Sequence, residues 1–349
     1  MPGGAALPGQ AVGVPQVGDH SDWVVGPDPV HLTRRRFASL KTAGLTVRLS
    51  VLYFRHGKGC GDGACPYRKV GKLRTGNQPV QSSRNMHKTT EEKLAGSLTA
   101  ETTELIPFLP YLLQDFWELG SDPNAMAGLI KKHVGLSADT TLLDLACGKG
   151  AVSVKAAQKL QVRVKGVDLL PEFIEFAKQK AREYGVANLC DFAVGDVNEA
   201  VATEKDYDIV VLGAVGNVLG NPRETLGKLK RTVKTGGHIL IDESYLKDDG
   251  KPEDIRYDNY EYLTEKQWAA LFAESGLELV ETVSASELES SENLDGVSAM
   301  AAITQRANEL TEKHPDKKAM FEGYIRSQQN EYNDLDNTLE SVVWILRKP

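Results

Sequence analysis

One stretch constrains this chain more than any other: Thr141-Leu142-Leu143-Asp144-Leu145-Ala146-Cys147-Gly148-Lys149-Gly150. An apolar run ends on an acid and breaks into a loop of small residues. A helix-like stretch, 151–160, follows. Strand, glycine turn and helix N-terminus in that order bring backbone N–H groups near a ligand. Glycines remove the Cβ atoms that would hold the ligand away.

The rest of the chain sets that loop in a repeating pattern. Strands are predicted at 141–145, at 162–167 ending in Asp168, at 189–194 running into Gly195-Asp196, and at 207–212 and 238–242. Helices are predicted between them at 151–160, 171–184 and 223–234. This alternation argues for a parallel sheet covered on both faces. Thr264-Glu265-Lys266-Gln267 has the form of a capping box and opens a further helix, and two last strands are read at 277–283 and 341–346. Residues about 101–134 read as helices, with Phe108, Leu109, Leu112, Leu113, Phe116 and Trp117 on one apolar face and Asp122-Pro123 as a helix start. Residues about 295–333 also have helical character, broken at Pro315, and are expected to cap the ligand pocket beside the N-terminal helices.

Two familiar phosphate-binding loops fit poorly. A dinucleotide loop places a third glycine where Ser153 stands, and Gly148-Lys149-Gly150 lacks the Lys-Ser/Thr pair of a phosphate loop. Asp144 at the loop's entrance would repel a pyrophosphate and suits a ligand carrying a cationic amino group.

In these residues the chain resembles the class I S-adenosylmethionine-dependent methyltransferases. Their first motif is an acid followed by a small-residue loop and glycines, close to Asp144 through Gly150, with Ala146 where many members have glycine. An acid then closes the second strand at Asp168, Gly195-Asp196-Val197 follows the third, Asp208 begins the fourth, and Gly236-Gly237 precedes the fifth. The resemblance implies an α/β, Rossmann-like, doubly wound and mostly parallel seven-stranded sheet. A C-terminal antiparallel strand pair, N-terminal helices and a helical insertion between the last two strands complete it. It also implies S-adenosylmethionine as cofactor, held by Asp144, Ala146, Cys147, Gly148, Gly150, Asp168, Leu169, Asp196, Val197 and Gly213. The chemistry agrees: an ionised acid at a strand end accepts hydrogen bonds from a ribose diol, and Asp196 can accept from an adenine amine. Cys147, in the loop, reads as a packing residue rather than a nucleophile.

The acceptor is less constrained. Gly213-Ala214-Val215-Gly216-Asn217 carries neither an Asn/Asp-Pro-Pro-Tyr/Phe motif nor a Pro-Cys pair, which argues against adenine-amino and cytosine-C5 methylation. A small-molecule methyl acceptor is the reading adopted, contacted by Tyr111, Trp117, Asn217, Glu243 and Tyr245. No catalytic base is assigned. A tRNA or protein methyltransferase, a non-catalytic S-adenosylmethionine-binding module and a nucleotide-dependent oxidoreductase are the alternatives.

Charge divides the chain. Residues 1–85 carry a balance of +8, the remainder one of -15, and the first glutamate is Glu91. The acidic portion disfavours a nucleic-acid partner, since phosphate binding rests on Lys and Arg. Residues 1–85 read as a disordered or spurious extension, with 86–349 as the methyltransferase domain and its cofactor-binding core at about 138–283. Within the extension, Arg34-Arg35-Arg36 suggests an export signal but lacks an uninterrupted apolar region. His56, Cys60 and Cys65 lack a fourth ligand for zinc, so no metal is expected. No apolar run approaches the roughly 20 residues of a membrane span. Four scattered cysteines fit a reducing compartment, the cytoplasm.

Overall fold

The computed structural model describes residues 88–248, 250–257, 262–284 and 296–349. The export-like arginines and the His56, Cys60 and Cys65 group lie outside them. The strands are β1 (Thr141–Leu145), β2 (Arg163–Asp168), β3 (Cys190–Val194), β4 (Tyr207–Gly213), β5 (Val233–Leu246), β6 (Glu278–Ser284) and β7 (Leu339–Arg347). They form one sheet in the order β3-β2-β1-β4-β5-β7-β6. β1 to β5 run parallel, and β7 pairs antiparallel with both β5 and β6. The sheet is thus the seven-stranded, mostly parallel one that the resemblance implied.

The central strands are apolar on both faces because helices cover both. Leu142, Leu143, Ile209, Val210 and Val211 are fully buried, as expected of parallel strands read as continuous hydrophobic runs. One face carries α4 (Ala151–Leu160) and α5 (Pro171–Glu183), together with α3 (Pro123–His133). The other carries α6 (Val197–Thr203), α7 (Pro222–Thr232) and α8 (Glu265–Glu274). Asp122 caps α3, accepting from the Asn124 and Ala125 N–H groups at 2.7 and 3.1 Å, with Pro123 in the first turn.

A third layer is helical and has its own core. It comprises α1 (Thr90–Ser97), a 3₁₀ turn at Thr103–Phe108 continuing into α2 (Leu109–Leu112), and α9 (Gly296–Lys313) and α10 (Lys318–Asn337). Leu105, Leu109, Leu113 and Phe116 pack there with Ile303, Phe321 and Tyr324. Polar links bind the two ends of the chain together: Arg306 pairs with Asp115, the Tyr111 hydroxyl donates to Glu309, and the Thr99 hydroxyl donates to Glu331.

Several boundaries differ from the sequence reading. β5 runs from Val233 rather than starting at His238, because Val233 already pairs with Tyr207. Residues 234–237 bulge out opposite Asp208, with Gly236 at φ 79° and bonded to Lys348, before pairing with β4 resumes at His238. Of the region read as helical at 101–134, residues 113–122 form an irregular connection. α1 and α6 were not anticipated; each is short. α1 has a capping box, Thr89 with Glu92, that is visible in the sequence.

Candidate active site

The strand order reverses direction between β1 and β4, and crevices at such points, outside the carboxyl ends of the strands, are where open α/β sheets bind ligands. A cavity lies there. Its floor is the ends of β1 to β4, and its cover is α1 and residues 117–121.

Three carboxylates line it from consecutive strand ends. Asp144, on β1, is buried and accepts the Ser153 hydroxyl at 2.6 Å. Burial raises its pKa to about 7, the charge of Asp168 adding to that and the Ser153 bond opposing it. Ser153, where a dinucleotide loop would have glycine, thus supports the acid. Asp168 ends β2. It accepts the Gly148 N–H at 2.9 Å and the Leu170 N–H at 3.0 Å, one on each oxygen. Burial pushes its pKa up against those bonds, and each oxygen keeps a lone pair for a ligand hydroxyl. Asp196 follows β3 and caps α6, accepting from Asn198 at 2.7 Å and from the Thr90 hydroxyl at 2.8 Å. Burial pushes its pKa up, but the bonds from Asn198 and Thr90 outweigh that and hold it below the ordinary value.

The loop itself is wired inward. Cys147 N–H donates to Val167 O, Gly148 N–H to Asp168, and Gly150 N–H to Cys147 O. Those donors are therefore unavailable as a phosphate cradle, whatever the glycines suggest. Gly148 and Gly150 adopt positive φ, and so does Ala146 at φ 55°. A Cβ on Gly150 would come within 2.6 Å of the Ala177 Cβ.

Of the residues proposed for the cofactor, Asp144, Ala146, Cys147, Gly148, Asp168, Leu169, Asp196, Val197 and Gly213 line the cavity. Gly150 caps α4 beneath it. Of those proposed for the acceptor, Trp117 lines it. The others lie elsewhere. Tyr111 hydrogen-bonds Glu309 in the helical layer, and Asn217 sits in the turn after β4, its carbonyl taken by Gly220. Glu243 accepts from the following backbone N–H, and Tyr245 stacks on Trp344 beside the sheet.

The sequence reading gave the cavity's cover to the insertion at about 295–333 beside the N-terminal helices, but no described residue of α9 or α10 lines the cavity, and the reading missed α1. Thr90, Lys93, Leu94, Ser97 and Leu98 of α1 line the cavity, with Leu119, Ser121 and Phe173. The reading also missed Lys149. That ammonium is buried and donates to the Leu113 and Phe116 carbonyls, both at 2.6 Å, while the Trp117 indole donates to the Lys149 carbonyl at 3.0 Å. Burial lowers its pKa to about 8. These bonds clamp the irregular connection onto the loop. The capping box of α1 was the available sign of the roof; the Lys149 clamp joins segments far apart in sequence and leaves no local pattern.

A methyltransferase domain family model matches residues 136–318, from just before β1 to the start of α10. The chain belongs to this family. The chain is 32% identical over 123 residues to the ribosomal protein L11 methyltransferase of Thiobacillus denitrificans, across 35% of this chain and 38% of that one. The match thus spans little more than a third of such relatives' length. It is 23% identical over 234 residues to the malonyl-[acyl-carrier protein] O-methyltransferase of a Paenibacillus species, covering 61% of this chain and 83% of that one. Its fold matches that of a SAM-dependent methyltransferase from Geobacter sulfurreducens, solved in complex with S-adenosyl-L-homocysteine. The TM-score is 0.57 at 22% identity, with 70% of this chain and 98% of that one covered.

Proposed function

We propose that the protein transfers a methyl group from S-adenosylmethionine to a small-molecule acceptor. The observation that carries this reading is the row of Asp144, Asp168 and Asp196 around one cavity at the switch point of the sheet. The row matches the donor's own groups in order: an adenine amine for Asp196, a ribose diol for Asp168, and an ammonium for Asp144. When bound, the donor supplies a methyl group already activated on a sulfonium.

The protein's own work is then alignment and exclusion of water. α1 and Trp117 close the site, and the Lys149 clamp holds that cover in place. In this reading Asp144, Asp168 and Asp196 are engaged by the donor, so no general base is assigned among the described residues that line the cavity. The ammonium of Lys149 is held by carbonyls, and burial together with Asp144 and Asp168 raises the Cys147 thiol's pKa well above its usual value. The acceptor therefore attacks with a lone pair it already has. Leu94, Leu98, Trp117, Leu119 and Phe173 give the cavity apolar walls, which favours a compact acceptor over a nucleic-acid strand. A protein acceptor is the second reading, favoured by the likeness to the ribosomal protein L11 methyltransferase.

The test has two parts. Calorimetry with S-adenosylhomocysteine reads the donor site. Because an ammonium beside Asp144 favours its ionised form, affinity is expected to rise with pH up to about 7 and then level off. Transfer of a labelled methyl group to metabolite, protein and RNA pools reads the acceptor. Label in the protein pool alone would replace the small-molecule reading with the second one, and absence of S-adenosylhomocysteine binding would remove both.

A further inference from the structure

The Ser121 hydroxyl is out of place in its surroundings. Ser121 is 8% exposed, and its Oγ has no hydrogen-bond partner among the described residues. Leaving a buried hydroxyl unpaired is costly unless something else satisfies it. The residue lines the cavity, so the missing partner has a place to come from.

Its position is built from several sides. Asp122 caps α3 directly after it, and the Lys149 and Trp117 bonds pin the connection directly before it. Across the cavity floor, Gly213 ends β4, and a Cβ there would fall on the Ser121 hydroxyl. Glycine at the end of this buried strand is thus explained by the close approach of Ser121.

The register of the sheet says which part of a ligand would meet this hydroxyl. Leu145 pairs with Leu212, so Gly213 lies beside the first residue of the glycine loop, one strand beyond Asp144. Asp196, Asp168 and Asp144 sit at the carboxyl ends of β3, β2 and β1, and Ser121 faces the end of β4, next in the same row. A ligand with its adenine at Asp196 and its ribose at Asp168 brings its amino-acid end over β1 and β4. We propose that Ser121 donates a hydrogen bond to the carboxylate of the donor's amino-acid end, while Asp144 takes the ammonium. This rests on the donor reading above and adds a residue that selects for the complete amino-acid tail.

Two ligands separate the ends of the site. S-adenosylhomocysteine has the amino-acid tail, and 5′-methylthioadenosine keeps the adenosine and the sulfur but lacks that tail. Calorimetry on the full chain and on Ser121→Ala is expected to show S-adenosylhomocysteine binding weakened about tenfold, the scale of a hydrogen bond to a charged group. Methylthioadenosine binding should change by less than about twofold. Gly213→Ala, whose new Cβ displaces the hydroxyl, is expected to reproduce that tail-selective loss. Unchanged S-adenosylhomocysteine affinity in Ser121→Ala overturns the proposal, as does an equal loss for both ligands, which would mark a packing role. If the unaltered protein binds neither ligand, the donor reading itself falls and this one with it.

Discussion

The sheet and the helical layer above it are built on different terms. The strands bury mostly aliphatic side chains, the polar ones they bury, such as Asp144, Asp168, Ser244 and Ser341, have partners, and His238 Nδ1 is the buried side-chain atom without one in the described strands. The helical cover buries Thr99, Glu118, Gln328, Glu331 and Asp334, and it leaves Ser121 Oγ, the Tyr324 hydroxyl and Gln328 Nε2 without partners. Buried polar atoms cost stability and favour particular arrangements. The sheet therefore supplies stability and a fixed row of acids, and of the unpartnered groups in the cover it is Ser121 that lines the cavity.

Substitutions can break this contrast. The largest effect belongs to the sheet: Trp344→Ala removes a ring packed on Trp268 and Phe272. It should cost about 3–5 kcal/mol in a denaturant titration. A loss below about 1 kcal/mol would mean that the strands are not the stable part.

Next comes Asp144. Its folded pKa of about 7 lies above the ordinary carboxyl value of 3.8, so between those values the folded state holds a proton that the unfolded state has released. Its contribution to stability is therefore complete below about pH 4 and is lost as pH rises to about 7. Asp144→Asn should remove that fall, with a gain of up to about 4 kcal/mol at pH 8 that shrinks toward zero at pH 4. Equal differences at both pH values would show that the carboxyl is already ionised in the folded protein.

Asp168→Ala should weaken S-adenosylhomocysteine about a hundredfold or more, since two charge-assisted hydrogen bonds go. Unlike Ser121→Ala, it should weaken methylthioadenosine as much. The smallest effect belongs to the cover. Tyr324→Phe deletes a hydroxyl that is 1% exposed and has no partner, and it should leave stability within about 1 kcal/mol or raise it. A loss above about 2 kcal/mol would show that a partner exists and that the cover is better satisfied than its contacts suggest.

The same division explains what could be read from the residues alone. Strand periodicity and glycine placement expose β1 to β4 because each strand is a local apolar run with a local stop. The acids at their ends were legible for that reason. Tyr111 and Tyr245 looked like acceptor contacts because aromatic residues near a site attract that reading; packing against Glu309 and Trp344 took them elsewhere. Ser121 and Lys149 carry no local signal, since each is defined by a partner that only folding brings near. The start of β5 at Val233 was hidden by Gly236-Gly237, which resembles a helix stop but lies in a bulge before the strand resumes its pairing with β4 at His238.

The place of β7 between β5 and β6 has a consequence for how the molecule is made. β6 is bonded to the sheet only through β7, which lies more than fifty residues later in the chain. During synthesis the edge of β5 therefore stays open, and β6 waits without a neighbour, until α9, α10 and β7 have left the ribosome. Open strand edges recruit foreign strands. The interval between the two strands is thus the period when a nascent copy is most exposed to its neighbours, and most in need of a chaperone.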